Sequence, residues 1–155
     1  MAETSEEVRL LTAKQYLSSL KMLNIKINHK LQEVEELRAL SFSSGGLAAD
    51  NERVQTSPSG DGRQIALVNR YVDLEMEINQ LIDKYVDRKD KIINEIHQLE
   101  DARYLEILFK RYVEFKSLLL VSKEMKYDYS HLRHLHGQAL KDFERRHTNA
   151  QRDML

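Results

Sequence analysis

The run Tyr129-Ser130-His131-Leu132-Arg133-His134 in the last third of the chain carries five hydrogen-bonding side chains around one leucine. Leu132 and Leu135 mark an apolar side in the same run, so a helix through it turns the polar five outward over its first turns. A guanidinium at Arg133 can donate to both major-groove acceptors of guanine, and the neighbouring hydroxyls and imidazoles can serve other base edges. The chemistry on offer is base readout of double-stranded DNA. Lys116, Ser117, Lys123, Tyr127, Lys141, Arg145 and Arg146 surround this run and suit phosphate contacts, which give affinity without sequence information. Tyr127 can instead pack on the preceding helix.

Other chemistries are poorly served. His131 and His134 are three apart, but His136 turns off their face and no carboxylate completes a ligand set, so no metal is expected. There is no glycine-rich phosphate loop, nucleophile elbow or His-Glu-x-x-His pattern. Glu33, Glu35 and Glu36 read as a solvated helix face rather than paired catalytic carboxylates. The expectation is a non-enzyme with no catalytic residues and no cofactor.

Two short amphipathic segments must position the polar five. Ser117 can cap the first, marked by Leu118, Val121 and Met125. After Met125-Lys126-Tyr127-Asp128, Asp128 can cap the second, whose core face is Leu132, Leu135, Ala139, Leu140 and Phe143. The pair reads as a helix-turn-helix, in which the second helix enters the major groove. Upstream, Ala102, Leu105, Leu108, Phe109 and Tyr112 form another apolar face, interrupted at Glu114-Phe115-Lys116. Tyr104, Phe109, Tyr112 and Phe143 read as core. Together these segments predict a DNA-binding domain over residues 100–147, with residues 148–155 as a frayed tail.

The preceding 99 residues predict a long antiparallel helical hairpin, a coiled coil, so the fold class is all-α. Thr4-Ser5-Glu6-Glu7 fits a capping box, and Leu10, Ala13, Leu17, Leu20, Ile27, Leu31 and Val34 form a seam over a helix at residues 5–40. Residues 41–63 hold four of the five glycines and the single proline, Pro58, and read as a long loop. A second seam begins near Ile65 and is clearest at Ile78, Ile82, Tyr85, Lys89, Ile92, Ile96 and Leu99. Asn24 and Lys89 interrupt the two seams; they either select register or oligomeric state, or lie at a wet edge. The seams can close within one chain or between two, which makes a homodimer a candidate assembly.

Composition bounds the rest. A chain of 155 residues, 41% apolar and 32% charged, supports one domain or two small ones. With no cysteine, disulfides and thiolate metal sites are excluded. No run approaches the roughly 18 to 20 apolar residues of a membrane span, and the acidic start is unlike a signal peptide, so a cytoplasmic protein with no membrane partner is expected. The net charge of −1 hides an asymmetry: residues 1–99 carry 13 basic against 16 acidic side chains, and residues 100–155 carry 11 against 9. Four of the six histidines lie in the basic part, so binding to DNA would weaken as pH rises through the imidazole range near 6.5.

Glu100-Asp101-Ala102-Arg103-Tyr104, Lys110-Arg111-Tyr112-Val113, Met125 with Tyr127, Leu135-His136-Gly137, Ala139-Leu140 and Val54-Gln55-Thr56-Ser57-Pro58-Ser59 together resemble the RinA and ArpU group of late-gene transcription regulators from phages and prophages of Gram-positive bacteria. The likeness covers almost the whole chain. Its C-terminal part is similar to region 4 of bacterial sigma factors, whose recognition helix reads a promoter hexamer, and that similarity implies base contacts at Tyr129, Ser130, His131, Arg133 and His134. The resemblance implies sequence-specific activation of late phage genes inside the bacterial host cell, with phage promoter DNA and bacterial RNA polymerase as partners. Glycines are usual in that family where this chain has Phe115 and Lys126, and acidic residues where it has Leu119 and Leu120. With Leu118 these form an apolar run, a candidate patch for dimerisation or for another protein, including a phage- or satellite-encoded inhibitor. Two alternatives stay open: a packaging factor of the small-terminase kind, and a helical adaptor whose helix-turn-helix no longer binds DNA.

Overall fold

Apolar residues recurring every three or four positions drive this chain into helices: α1 (Ala2–Gly45), α2 (Ser59–Ile96), α3 (Ala102–Leu108), α4 (Leu118–Met125) and α5 (Tyr129–Arg152). The computed structural model describes the backbone of residues 2–45 and 59–152 and the side chains of residues 12–41 and 62–147. Among the described residues there is no strand, and no helix is long and apolar enough to cross a membrane. The all-α expectation holds.

The chain forms two compact units, and both long helices contribute to each. In the unit Leu23–Lys84, α1 and α2 run antiparallel around buried Val34, Leu74 and Ile78, with Leu37 and Tyr71 packed alongside. Lys30 bridges to Glu77 at 2.8 Å and Arg70 to Glu33 at 2.6 Å across this pair. The other unit joins Met1–Met22 to Tyr85–Leu155. Its main core gathers Ala13, Leu17 and Leu20 of α1 and Ile92 and Ile96 of α2 with Leu99, Leu108, Tyr112, Val113, Ala139, Leu140 and Phe143. A second cluster, Ile107, Val121, Leu132 and Leu135, holds α3, α4 and α5 together.

Several expectations need correction. A division after residue 99 does not match the packing, because the helical segments after it share their main core with both long helices. Residues 41–45 and 59–63 are helical rather than loop. The Ser41 hydroxyl donates back to the Leu37 carbonyl at 3.0 Å, which keeps a serine compatible with the helix, and Gly62 faces open space and costs only helix propensity. Residues 46–58, with most of the Val54–Ser59 stretch, lie outside the described residues. So do the side chains of Leu10 and of the capping box, although the helix already begins at Ala2. At the other end α5 runs on through Arg152, so residues 148–152 are helix and not a frayed tail. Within the seams, Leu31 and Ile82 stand exposed, and Leu81 takes the half-buried place beside Ile78. Ala102 is exposed, and Ile107 joins Leu108 as a buried residue of α3. Lys89 is half-buried with its ammonium 5.9 Å from the Tyr85 ring, the wet-edge alternative.

Candidate nucleic-acid interface

Local chemistry sets the ends of the elements that carry the polar five. Asp101 caps α3, accepting from the Arg103 backbone N–H at 2.9 Å, and its carboxyl is held below the usual carboxylate range chiefly by the Arg103 side chain. After Leu108 the helix widens into a π-helical turn, Phe109–Val113, with the Glu114 N–H donating to the Phe109 carbonyl at 3.1 Å. The chain then reverses at Phe115, whose φ of 59° is left-handed, and Arg111 fixes the bend by donating to the Lys116 carbonyl at 2.9 Å. Ser117 caps α4 as expected, its hydroxyl accepting from the Leu120 N–H at 3.2 Å.

α4 ends on a second left-handed residue, Lys126, at φ 58°. There the Tyr127 N–H reaches the Ser122 carbonyl at 3.0 Å and the Lys126 N–H the Lys123 carbonyl at 3.4 Å, the paired bonds of a Schellman ending. Tyr127 packs on the cluster of Val121 and Leu132, so its ring serves the fold. Asp128 then accepts from the Ser130 N–H at 3.2 Å and starts α5.

The side chains of α5 sort as its spacing requires. Leu132, Leu135, Ala139, Leu140 and Phe143 are buried, while Tyr129, Ser130, His131, Arg133 and His134 are all exposed on its first turns. Two of the five are held in place. The Arg133 guanidinium lies 5.8 Å from the Tyr129 ring, and His131 meets Tyr127 edge-on at 5.5 Å between ring centroids. His136 points inward instead, with its Nε2 2.9 Å from the Tyr112 hydroxyl. Burial, reinforced by Arg111 and Lys14, pushes its pKa down to about 4, and burial pushes Tyr112 up to about 12. The imidazole is therefore neutral where it meets the Tyr112 hydroxyl. Among the described residues no three His, Asp or Glu side chains converge as metal ligands.

The cations expected on phosphates are used in different ways. Lys123 and Lys141 are exposed on α4 and α5. Arg145 is exposed and pairs with Asp142 at 3.1 Å. Arg146 ties α5 to the end of α2, donating to the Gln98 carbonyl at 3.0 Å, with Glu100 at 3.6 Å. Lys116 bridges Glu114 at 2.6 Å and Glu124 at 3.0 Å, and Glu124 also holds Lys110 at 3.0 Å. The lysines keep the Glu124 carboxyl below its usual range, Lys116 foremost. Of the apolar run, Leu118 packs on the second cluster, leaving Leu119 at 51% and Leu120 at 43% exposure.

Sequence reasoning missed three residues here. Lys126 is exposed at the turn, Lys110 belongs to the Glu124 cluster, and Gln138 accepts from the Tyr104 hydroxyl at 3.1 Å. Only the Glu106–Lys110 spacing of four carried a signal in advance, and that pair closes at 3.3 Å. Comparison with protein-family models, with curated proteins and with solved structures finds no match to this chain.

Proposed function

We propose that this protein is a sequence-specific DNA-binding regulator of phage late-gene transcription, acting through a sigma-region-4-like helix-turn-helix formed by α4 and α5. The observation that carries the reading is the open polar face on the first turns of α5, beside a short capped helix and a tight turn. Arg133 reads base edges, with Ser130, His131 and His134 beside it and Tyr129 stacked against its guanidinium. Lys123, Lys126 and Lys141 supply phosphate contacts from exposed positions around this face. The two left-handed residues, Phe115 and Lys126, stand where the family resemblance expects glycine, which supports a shared backbone path.

The test is binding of the full chain to fragments from upstream of its neighbouring phage genes, titrated against salt with a scrambled competitor. Specific binding is expected to fall with a log–log slope of several units. Arg133→Ala is expected to lower specific affinity by about tenfold to a hundredfold while leaving binding to scrambled DNA nearly unchanged. Specific binding that survives this substitution intact removes Arg133 from the reading; no specific binding at low salt sinks it altogether. One observation favours a second reading, a protein-binding adaptor: Leu119 and Leu120 are exposed side by side on α4.

A further inference from the structure

From Val8 to Gln32 the sequence holds Arg9, Lys14, Lys21, Lys26 and Lys30 and not one Asp or Glu, in a chain with 25 acidic and 24 basic side chains. Two of these cations share a face of α1. Lys14, Ser18 and Lys21 follow one another by four and three residues, and both lysines are exposed. α2 meets α1 on another side, where Tyr16 donates to Glu95 at 2.7 Å and Ser19 accepts from Arg88 at 2.7 Å. That side lies nearly half a helical turn away, so Glu95 faces away from both lysines.

The bend after α3 stands against the lysine face, in the same compact unit. Ser18 and Lys21 line a shallow depression with Arg111, Tyr112 and Phe115. Arg111 is held there, donating to the Lys116 carbonyl at 2.9 Å with its guanidinium 5.9 Å from the Tyr112 ring. Among the described residues none of Lys14, Lys21 and Arg111 pairs with a carboxylate, whereas Lys30, Arg70, Lys110 and Lys116 all do. Like charges gathered without a counter-ion repel, and an anion from outside relieves that repulsion.

The patch borders the reading face of α5. The buried His136, lowered first by its burial, also feels the charges of Arg111 and Lys14, and it follows Arg133 by three residues, on the next turn. A helix lying in a major groove about 12 Å wide has a phosphate strand along each flank. We infer that Lys14, Lys21 and Arg111 form a second phosphate-binding surface, which takes one strand of the DNA backbone beside α5. The inference rests on the reading of α5 as the helix that enters the groove.

The test is the salt dependence of binding, by the full chain, to the specific fragment and to its scrambled competitor. Lys14→Gln with Lys21→Gln is expected to lower affinity for both DNAs alike, by about tenfold to a hundredfold at about 0.1 M salt, and to reduce the log–log slope by about two units. Lys89→Gln with Lys91→Gln removes the same charge from α2 and is expected to leave the slope nearly unchanged. Arg133→Ala separates the two readings, because it lowers specific affinity alone. A slope that the Lys14 and Lys21 substitutions leave unchanged, with Arg133→Ala still selective, overturns this surface and leaves α5 as the reader. An equal drop from the Lys89 and Lys91 substitutions overturns it as well, since net charge alone then sets the slope. No binding of either DNA by the unsubstituted chain at low salt overturns both.

Discussion

Lys126 and Phe115 hold left-handed backbone without being glycine, at φ 58° and 59°, and each stores strain on the order of 1–2 kcal/mol. The two differ in what the side chain returns. Lys126 is exposed, so Lys126→Gly is expected to raise stability by about 1 kcal/mol, read as an upward shift of the thermal midpoint. Phe115 packs its ring against the main core, so Phe115→Gly is expected to lower the midpoint despite the relaxed backbone. A midpoint raised by both substitutions would refute this account. His136 makes a pH prediction. Its folded pKa near 4 lies below the unfolded value near 6.5, so the unfolded chain takes up the proton first as pH falls. Stability is unaffected by this group above pH 6.5 and drops between 6.5 and 4, by about 2 kcal/mol at pH 5. His136→Gln keeps a partner for Tyr112 and is expected to flatten that part of the denaturant-derived stability profile; an unchanged profile would count against the buried neutral imidazole.

At the scale of elements, Glu124 of α4 gathers Lys110 and Lys116, the second of them a candidate phosphate contact, into one cluster. Glu124 holds Lys110 and Lys116, so a phosphate approaching Lys116 must compete with a carboxylate already in place. Glu124→Gln is expected to strengthen binding to scrambled DNA and to steepen its salt dependence by about one unit of log–log slope. A slope that stays the same would mean that Lys116 never reaches the DNA. The start of this region was legible in the residues: Ser117 and Asp128 are caps by type, and the apolar positions of α4 and α5 repeat at helical spacing. The turns were not. Neither Lys126 nor Phe115 announces a positive φ, and the π-helical widening after Leu108 leaves no mark in hydropathy. In the hairpin the seam spacing was visible, but the choice of Leu81 over Ile82 depends on how a long helix drifts against its neighbour. The ends of α1 and α2 were misjudged because serine and glycine density counted as a break where exposed helix tolerates both.

For the molecule as a whole, the expected boundary after residue 99 failed because hydropathy shows that a residue is buried and not which residue buries it. Leu17 and Leu20 carry the same helical signal as Val34, yet they share their core with Phe143 and Leu140 rather than with Leu74. The segment 100–155 made alone therefore lacks the helices that cover its main core, and it is expected to show no cooperative thermal transition. A fragment that melts cooperatively with dispersed amide signals would disprove that dependence. Leu17→Ala in the full chain is expected to cost about 2–5 kcal/mol.

The shared core also fixes an order of events during synthesis. Ala13, Leu17 and Leu20 emerge more than a hundred residues before Phe143 exists, a wait of roughly ten seconds at about 5–20 residues per second. The stretch Leu23–Lys84 contains both of its own partners and can close during that interval. The first helix thus leaves the ribosome with one part ready to fold and an earlier part obliged to wait, its apolar stripe open to chaperones and to neighbouring nascent chains until the last helix arrives.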